Sequence, residues 1–281
     1  MSGSNTTGLP QTKDYSLGRG KLYIAKLNTA TGKPDASGWR DVGNVPAFNT
    51  TVNVEELLHQ SSQSGLKVTD KRVVTSQTVD FSFSMDETSS QNMALYFSGD
   101  TALVTNPAVA GFTAVSLSTS VKLGRWYDIV NASGVRAVDI DPTKVTAKEV
   151  AGNTTLVLGT DYKLDTKMGR IFLFSTATNI ADGEELSVAL TADAGASAQL
   201  DQVKALTKSA EQLVLKFISE NPANNDQQVE LEFHSVTLSA DGDLSLIGDD
   251  WTTMQIKGTA QQETLGTGSA RTLTITTHAN A

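Results

Sequence analysis

The sequence contains no cysteine among its 281 residues. Disulfides, thiolate metal sites and cysteine nucleophiles are therefore excluded. It also lacks any apolar run of the roughly 18 residues that a membrane-spanning helix requires. A basic segment followed by an apolar one is missing at the N-terminus, so we expect no secretory signal and predict assembly in a cytoplasm without a membrane partner.

Positive charge is scarce as well. The net charge is −9, and residues 201–281 alone account for −6 of it. Proteins that grip duplex DNA neutralise its phosphates with clustered Lys and Arg, and no such cluster occurs here. The composition therefore argues against specific nucleic-acid binding.

Catalytic patterns are also missing. His59, His234 and His278 stand far apart without the spacing of metal ligands. Asp241-Gly242-Asp243 lacks the remaining ligands of a calcium loop, so we interpret it as a turn. Nucleotide-binding loops and the G-x-S-x-G and H-E-x-x-H motifs do not occur. We predict no enzyme, no catalytic or metal site and no cofactor.

The residues that are present favour β-structure. Charged residues make up 19% and aromatics 6% of the chain, and apolar residues come in short alternating runs. Alternation with a period of two is typical of strands with one buried face. We therefore predict an all-β fold with one short helix.

Residues 44–100 form the central segment of this prediction. Phe48, Thr50, Val52 and Val54 alternate with polar residues, and a second strand places Val79, Phe81, Phe83 and Met85 on one face. Glu56 to Arg72 is polar and long, so it is predicted to be a loop. Thr88 and Gln91 fit a capping box at the start of a short apolar helix that Gly99 ends.

Short strands separated by turn residues follow between 121 and 191. The predicted strands are 123–130, 135–140, 144–150, 155–158, 162–165, 170–174 and 186–191. This spacing is typical of a small β-sandwich. We predict five regions: an N-terminal arm 1–20, a first domain part 21–106, an inserted β-sandwich 107–197, a second domain part 198–260 and a C-terminal arm 261–281.

The second part of the outer domain again alternates. Val229, Leu231 and Phe233 face one way, whereas Glu230 and Glu232 face the other. The parity changes after this run, which predicts a β-bulge near Ser235. Further strands are predicted at 212–219, 244–247 and 252–257.

The central segment resembles the tail tube, or major tail, proteins of long-tailed bacteriophages. The resemblance lies in Gly43-Asn44, Leu57-Leu58-His59, the loop around Gly65-Leu66-Lys67, the FSFSMDE strand and the helix ending at Gly99. Together with the C-terminal third it covers about two thirds of the chain. The insert departs from the minimal family pattern, and we expect it to decorate the outside of an assembled tube.

The resemblance implies a β-sandwich or barrel that assembles as homohexameric rings. The rings stack around a tape-measure protein and join tail completion and tip proteins, so that double-stranded DNA passes through without specific binding. The expected location is the virion tail tube, with the host cytoplasm during assembly. The central loop and both arms would bridge rings; the loop residues proposed for this contact are Ser62, Gly65, Lys67, Asp70 and Arg72.

The polar faces of the predicted strands lead to a hypothesis about which residues line the lumen of the tube that the resemblance implies. A neutral or negative lining lets DNA slide, because each Lys or Arg would add a phosphate-binding step. The residues predicted to line the lumen are Asn53, Glu55, Asp80, Ser82, Glu230 and Glu232.

A different class of function stays open. The chain also fits a phage capsid-decorating or carbohydrate-binding β-sandwich protein, with the inserted module as the binder. The candidate contact residues for that function are Trp126, Tyr127 and Tyr162.

Overall fold

The computed structural model describes residues 17–105, 112–132, 134–191, 199–209, 211–222, 227–262 and 272–278. These residues form mostly antiparallel strands and one short α-helix, which confirms the all-β prediction. The chain divides into two compact units, Met1–Thr101 with Val203–Ala281 and Ala102–Gln202. The predicted insert, 107–197, falls within the second unit, whereas residues 1–16 of the predicted N-terminal arm lie outside the described residues.

The elements follow in chain order. The first group is β1 Gly20–Asn28, β2 Lys33–Pro34, β3 Arg40–Asp41, β4 Ala47–Ser64, β5 Leu66–Met85, α1 Ser90–Tyr96 and β6 Asp100–Thr105. The second is β7 Val115–Ser118, β8 Trp126–Asp128, β9 Val145–Glu149, β10 Thr154–Thr155, β11 Tyr162–Asp165, β12 Arg170–Leu173 and β13 Leu186–Leu190. The last is β14 Gln199–Lys204, β15 Gln212–Asn221, β16 Gln227–Ala240, β17 Met254–Ala260 and β18 Leu273–His278.

Nine strands of the first unit form one sheet in the order β2-β1-β15-β16-β17-β5-β4, with β18 beside β16 and β3 beside β1. Strands in a flat sheet lie about 4.8 Å apart, so β4 and β15 would be separated by about 19 Å. The ring centroids of Phe48 on β4 and Phe217 on β15 are only 5.2 Å apart. The sheet therefore curls round its apolar face, as in a sandwich or barrel.

The core of the first unit lies inside this curl. Phe81, Phe83 and Met85 are buried as predicted, and Phe233 contacts Phe81 at a centroid distance of 5.1 Å. Val52 and Val54 were assigned to the same buried face, but they are exposed because β4 extends beyond the part of the sheet that encloses the core.

Helix α1 covers part of this core through Tyr96. Its N-cap is Ser89, whose side chain accepts a hydrogen bond from the Asn92 amide at 3.2 Å. The predicted capping box of Thr88 and Gln91 is therefore wrong by one residue. The helix ends where the Gly99 amide donates to the Ala94 carbonyl at 2.8 Å.

The predicted loop between Glu56 and Arg72 is wrong. Strands β4 and β5 pair with each other from Ala47–Ser84 to Ser64–Leu66, and Gly65 makes the turn. Three register shifts interrupt the pairing. Each bulge adds a residue to one strand, so residues of one parity do not stay on the same face along the whole hairpin.

The predicted bulge in β16 is confirmed. Leu215 pairs with Phe233 and Leu213 pairs with Val236, so two residues of β16 oppose Val214. Two other predictions in this region are wrong: residues 244–247 form no strand, and residues 273–278 of the predicted C-terminal arm form β18, paired with β16.

The second unit has two small sheets, β10-β9-β13-β7 and β11-β12-β8, around one buried cluster. This is the arrangement of a small β-sandwich. The strand predicted at 135–140 is wrong, because only an isolated bridge joins Arg136 to Val130. Strand β7 was not predicted. Strands β6 and β14 pair with each other where the chain enters and leaves this unit.

Candidate functional site

The outer face of the curled sheet is polar. Thr237, Thr259, Asp80 and Thr51 are successive cross-strand partners on β16, β17, β5 and β4. Directly paired residues of antiparallel strands share a face, so these side chains form one row. The neighbouring row is Ser239, Lys257, Ser82 and Asn49.

The β16 bulge keeps this face continuous. Leu231 and Phe233 face the core before the bulge, and Val236 and Leu238 face it afterwards. Glu230 and Glu232 consequently share the outer face with Asp80, Ser82, Asn53 and Glu55. The register thus places all six residues of the lumen hypothesis on one face of one sheet.

Asp80 is held by neutral partners on both neighbouring strands. The Asn53 amide donates to its Oδ2 at 2.5 Å, and the Thr259 hydroxyl donates to its Oδ1 at 2.7 Å. Both of these bonds lie on the polar face. The carboxylate is therefore oriented without a cation contacting it in the described part of the chain.

Glu230 and Glu232 share a cation that sequence reasoning missed. The Nζ of Lys216 lies 2.6 Å from a Glu230 carboxylate oxygen and 3.3 Å from one of Glu232, and 4.6 Å from the Trp39 ring centroid. The hydrogen bond from Lys216 lowers the pKa of Glu230. Burial acts to lower the pKa of Lys216, but the two carboxylates outweigh it and raise the pKa.

This cluster changes the charge of the face. One cation between two carboxylates leaves a net charge of −1 where the sequence pattern suggested two uncompensated negative charges. The signal that identifies Lys216 is its position as a lone cation inside the apolar strand QLVLKFIS. His278 on β18 also reaches Glu230, at 3.4 Å.

The outer part of the β4–β5 hairpin is exposed on both faces. Leu57 and Val73 are direct partners on one face, whereas Leu58 and Val74 project from the other. The exposed large apolar side chains of the two strands are Val52, Val54, Leu57, Leu58, Leu66, Val68, Val73 and Val74. Exposed apolar side chains concentrated on one hairpin in this way indicate an interaction site.

The residues proposed for ring bridging lie on this hairpin. Gly65 is its turn, and the exposed Lys67 follows it; the side chain of Ser62 lies outside the described residues. Arg72 pairs with Glu56, and Asp70 with His59 at 2.5 Å. Residues 56–74 carry one net positive charge in a chain of net −9, so the hairpin and the rest of the chain are of opposite sign.

Strand β4 is an edge strand of this sheet. Among the residues that the structure describes, no strand pairs with its outer edge over Ala47–Ser64. Free edges of this length are templates for pairing with another chain.

The three aromatic residues proposed as carbohydrate contacts lie in different environments. Tyr162 is buried in the core of the second unit, so its assignment as a contact residue is wrong. The Tyr127 hydroxyl bonds to the backbone of Lys122, at 2.6 Å to its amide and 3.0 Å to its carbonyl. Trp126 is exposed and lies 5.2 Å from the Phe172 ring.

Across the described ranges, no group of three His, Asp or Glu side chains is arranged to hold a metal ion. The helical part of these ranges contains no segment long and apolar enough to cross a bilayer.

Comparison with known proteins gives one match. No curated protein matches the sequence. Residues 15–271 match the family described as "Protein of unknown function UCP028589". The match spans both parts of the first unit and the whole of the second, and the chain belongs to this family.

Proposed function

We propose that this protein is a structural subunit of a phage tail tube. Copies of the chain form homohexameric rings that stack into a tube, and double-stranded DNA leaves the capsid through its lumen. The observation that carries the proposal is the hairpin of β4 and β5. Its apolar side chains are exposed on both faces, which a single chain leaves uncovered and a neighbouring subunit would cover.

The low stability expected of the exposed hairpin on its own supports this proposal. A two-stranded ribbon without a sheet or helix against its faces is marginally stable in water. Burying apolar surface contributes roughly 25 cal/mol per Å². Contact with neighbouring copies would therefore stabilise the ribbon, and the free edge of β4 offers backbone hydrogen bonds to the same partner.

The outer polar face is the surface proposed to line the lumen. Its rows hold Thr, Ser and Asn with few ions, and the Lys216 cluster is largely internally compensated. Among the described residues of these two rows the cation is Lys257, which is paired with Asp241 at 2.9 Å, so a DNA phosphate meets no unpaired cation in them. We propose that the lining works through near neutrality with a slight negative excess.

Electron microscopy of the purified protein tests the assembly. We expect rings or tubes; a monomer that persists at high concentration would refute the proposal. Leu57→Ser with Val73→Ser should prevent assembly without unfolding the chain, since both side chains are already exposed. Met168→Ser, at an exposed apolar residue of the second unit, is the control.

The lumen assignment has its own test. Thr51→Lys adds a cation to the polar face without removing a hydrogen-bond partner of Asp80, and Asp80→Lys reverses a charge. Both should slow genome ejection from assembled particles. Thr176→Lys adds the same charge on the second unit and serves as the control. Ejection at the unmodified rate from both polar-face variants would refute this assignment.

The alternative is a capsid-decorating or carbohydrate-binding protein. The exposure of Trp126 beside Phe172 favours it, because sugars stack on exposed aromatic rings. Dispersed monomers that bind glycans, with binding lost in Trp126→Ala, would favour this function over the first.

A further inference from the structure

An exposed apolar loop joins β16 to β17. Its base is fixed: the Tyr96 hydroxyl donates to the Gly242 carbonyl at 2.7 Å, and Leu244 packs against the core. Within the loop, the Thr252 hydroxyl donates to the Ser245 carbonyl at 3.2 Å. These contacts restrain the two ends of the loop, and restraining a binding loop beforehand lowers the entropy cost of binding.

The tip of this loop is almost completely exposed to solvent. Relative exposure is 95% for Ile247, 92% for Trp251 and 75% for Leu246. Asp249 and Asp250 stand beside Trp251, so apolar and acidic groups share the tip. Tryptophan is among the residues that most often anchor protein interfaces. We call residues 245–252 the tip loop.

The same unit carries a concave counterpart. A cavity of about 600 Å³ lies between α1, β1 and the segment around Lys208. Ile24, Leu95 and Leu213 contribute apolar walls. The volume is within the range of pockets that hold large apolar groups.

The charged groups of the cavity are complementary to the tip loop. The lining contains three cations and two anions, so it carries one net positive charge. These residues are Lys26, Arg40 and Lys208, and Asp100 and Glu211. Lys26 and Lys208 are paired with Glu211 at 2.9 and 3.2 Å, and Lys208 also pairs with Asp100 at 3.0 Å. The excess charge therefore belongs to Arg40.

Arg40 has only a neutral side-chain partner among the described residues. Its Nη1 donates to the Asn92 amide oxygen at 2.7 Å. Burial lowers the pKa of Arg40, and the charge of Asp41 only partly opposes this. An incoming carboxylate would compensate the half-buried guanidinium, because opposite charges in a partly desolvated site attract strongly.

We propose that the tip loop of one copy inserts Trp251 and Ile247 into the cavity of a second copy, with a carboxylate of Asp249 or Asp250 against Arg40. This inference rests on the proposed self-assembly. The loop and the cavity are different surfaces of the chain, so the contact is heterologous unless two copies exchange their loops reciprocally. Repeated contacts of this kind close into rings or extend as filaments.

Cysteine trapping tests the contact directly, since the chain has no native cysteine to give a background. One preparation carries Ile247→Cys and the other carries Gln91→Cys or Ser37→Cys, at two positions of the cavity lining. On mixing under mild oxidation we expect a disulfide-linked dimer for at least one pair. Ile247→Cys mixed with Met168→Cys is the control, and trapping should exceed it roughly tenfold.

Two outcomes would overturn the inference. The first is trapping no faster than the control for both lining positions. The second is a disulfide that forms only when both cysteines are on one chain, which would mean that the loop fills the cavity of its own copy.

Trp251→Ala gives the energetic test. Removing a central interface anchor should weaken self-association tenfold or more, measured by sedimentation, whereas Met168→Ala should leave it unchanged. Unchanged association of Trp251→Ala would overturn the contact even where electron microscopy shows tubes. Trapped dimers without rings or tubes from the unmodified protein would instead refute the tail tube proposal and leave the contact standing.

Discussion

Asp161 fixes two turns of the second unit, and its removal gives the most quantitative prediction. The carboxylate is fully buried, and its Oδ2 accepts from the Val157 amide at 2.8 Å and the Asn179 side-chain amide at 2.7 Å. Its Oδ1 accepts from the backbone amides of Thr178 and Asn179 at 2.9 and 3.3 Å. Burial acts to raise the pKa of Asp161, but these hydrogen bonds outweigh it and lower the pKa to about 2.

Asp161→Asn replaces one acceptor oxygen by an NH₂ group that faces donors. At least one buried N–H then loses its partner, at a cost of about 1–3 kcal/mol, with more lost because the original bonds are charge-assisted. We expect the second unit to lose about 3 kcal/mol of unfolding free energy. Asp128→Asn, which removes only a half-exposed ion pair with Arg136, should cost less than about 1 kcal/mol.

The pH dependence gives an independent check. Because the pKa of Asp161 is lower in the folded state than its ordinary value of 3.8, its contribution is complete above about pH 4. It is lost as the pH falls through about 2. The shift corresponds to roughly 2–3 kcal/mol. Asp161→Asn should lack this part of the acid sensitivity.

Denaturant titration followed by Trp126 fluorescence measures both effects. Trp39→Phe and Trp251→Phe remove the other two tryptophans, so that the signal reports only on the second unit. The reasoning would be refuted if Asp161→Asn unfolded at the unmodified midpoint, or if it kept the full acid sensitivity.

Three further predictions follow from local geometry. Gly169→Ala should lower the unfolding free energy by more than about 3 kcal/mol, because φ is +59° and an added Cβ would overlap the Ala137 carbonyl oxygen. Gly159→Ala is the control: its φ is also positive, but the space around it is open, so the loss should be about 1 kcal/mol. Ser89→Ala should cost about 1 kcal/mol in thermal unfolding and Thr88→Ala almost nothing, because only Ser89 caps α1. Lys216→Met should destabilise the first unit at pH 7, because it leaves two carboxylates without their cation. Because Lys216 lowers the pKa of Glu230, this loss should shrink as the pH falls through the lowered pKa and Glu230 is protonated.

Strands with one buried face could be predicted from the sequence. Phe81, Phe83 and Met85 alternate with polar residues because core and solvent lie on opposite sides of β5. The bulge at Ser235 was predictable for the same reason, since a change of parity between Phe233 and Val236 is visible in one strand. These features depend only on neighbours in the chain.

The Lys216 cluster depends on strands that are distant in sequence. Glu230 and Glu232 alternate visibly, but their partner comes from β15 through the cross-strand register. Alternation identifies which side chains share a face of one strand; it does not identify which side chains of the next strand stand opposite. The sequence therefore predicted that the polar face carries excess negative charge. It did not predict that Lys216 compensates part of this charge.

The hairpin shows a different reason for failure. Residues 56–72 were predicted to be a loop because the segment is polar and too long for a tight hairpin turn. It also lacks the regular alternation of a half-buried strand. In the folded chain both faces of this part of β4 and β5 meet solvent, so no core selects one parity. Apolar residues such as Leu57 and Leu58 nevertheless persist on opposite faces. The proposed self-assembly accounts for this pattern, because the surfaces that would bury leucine and valine on both sides of the ribbon would then belong to neighbouring copies.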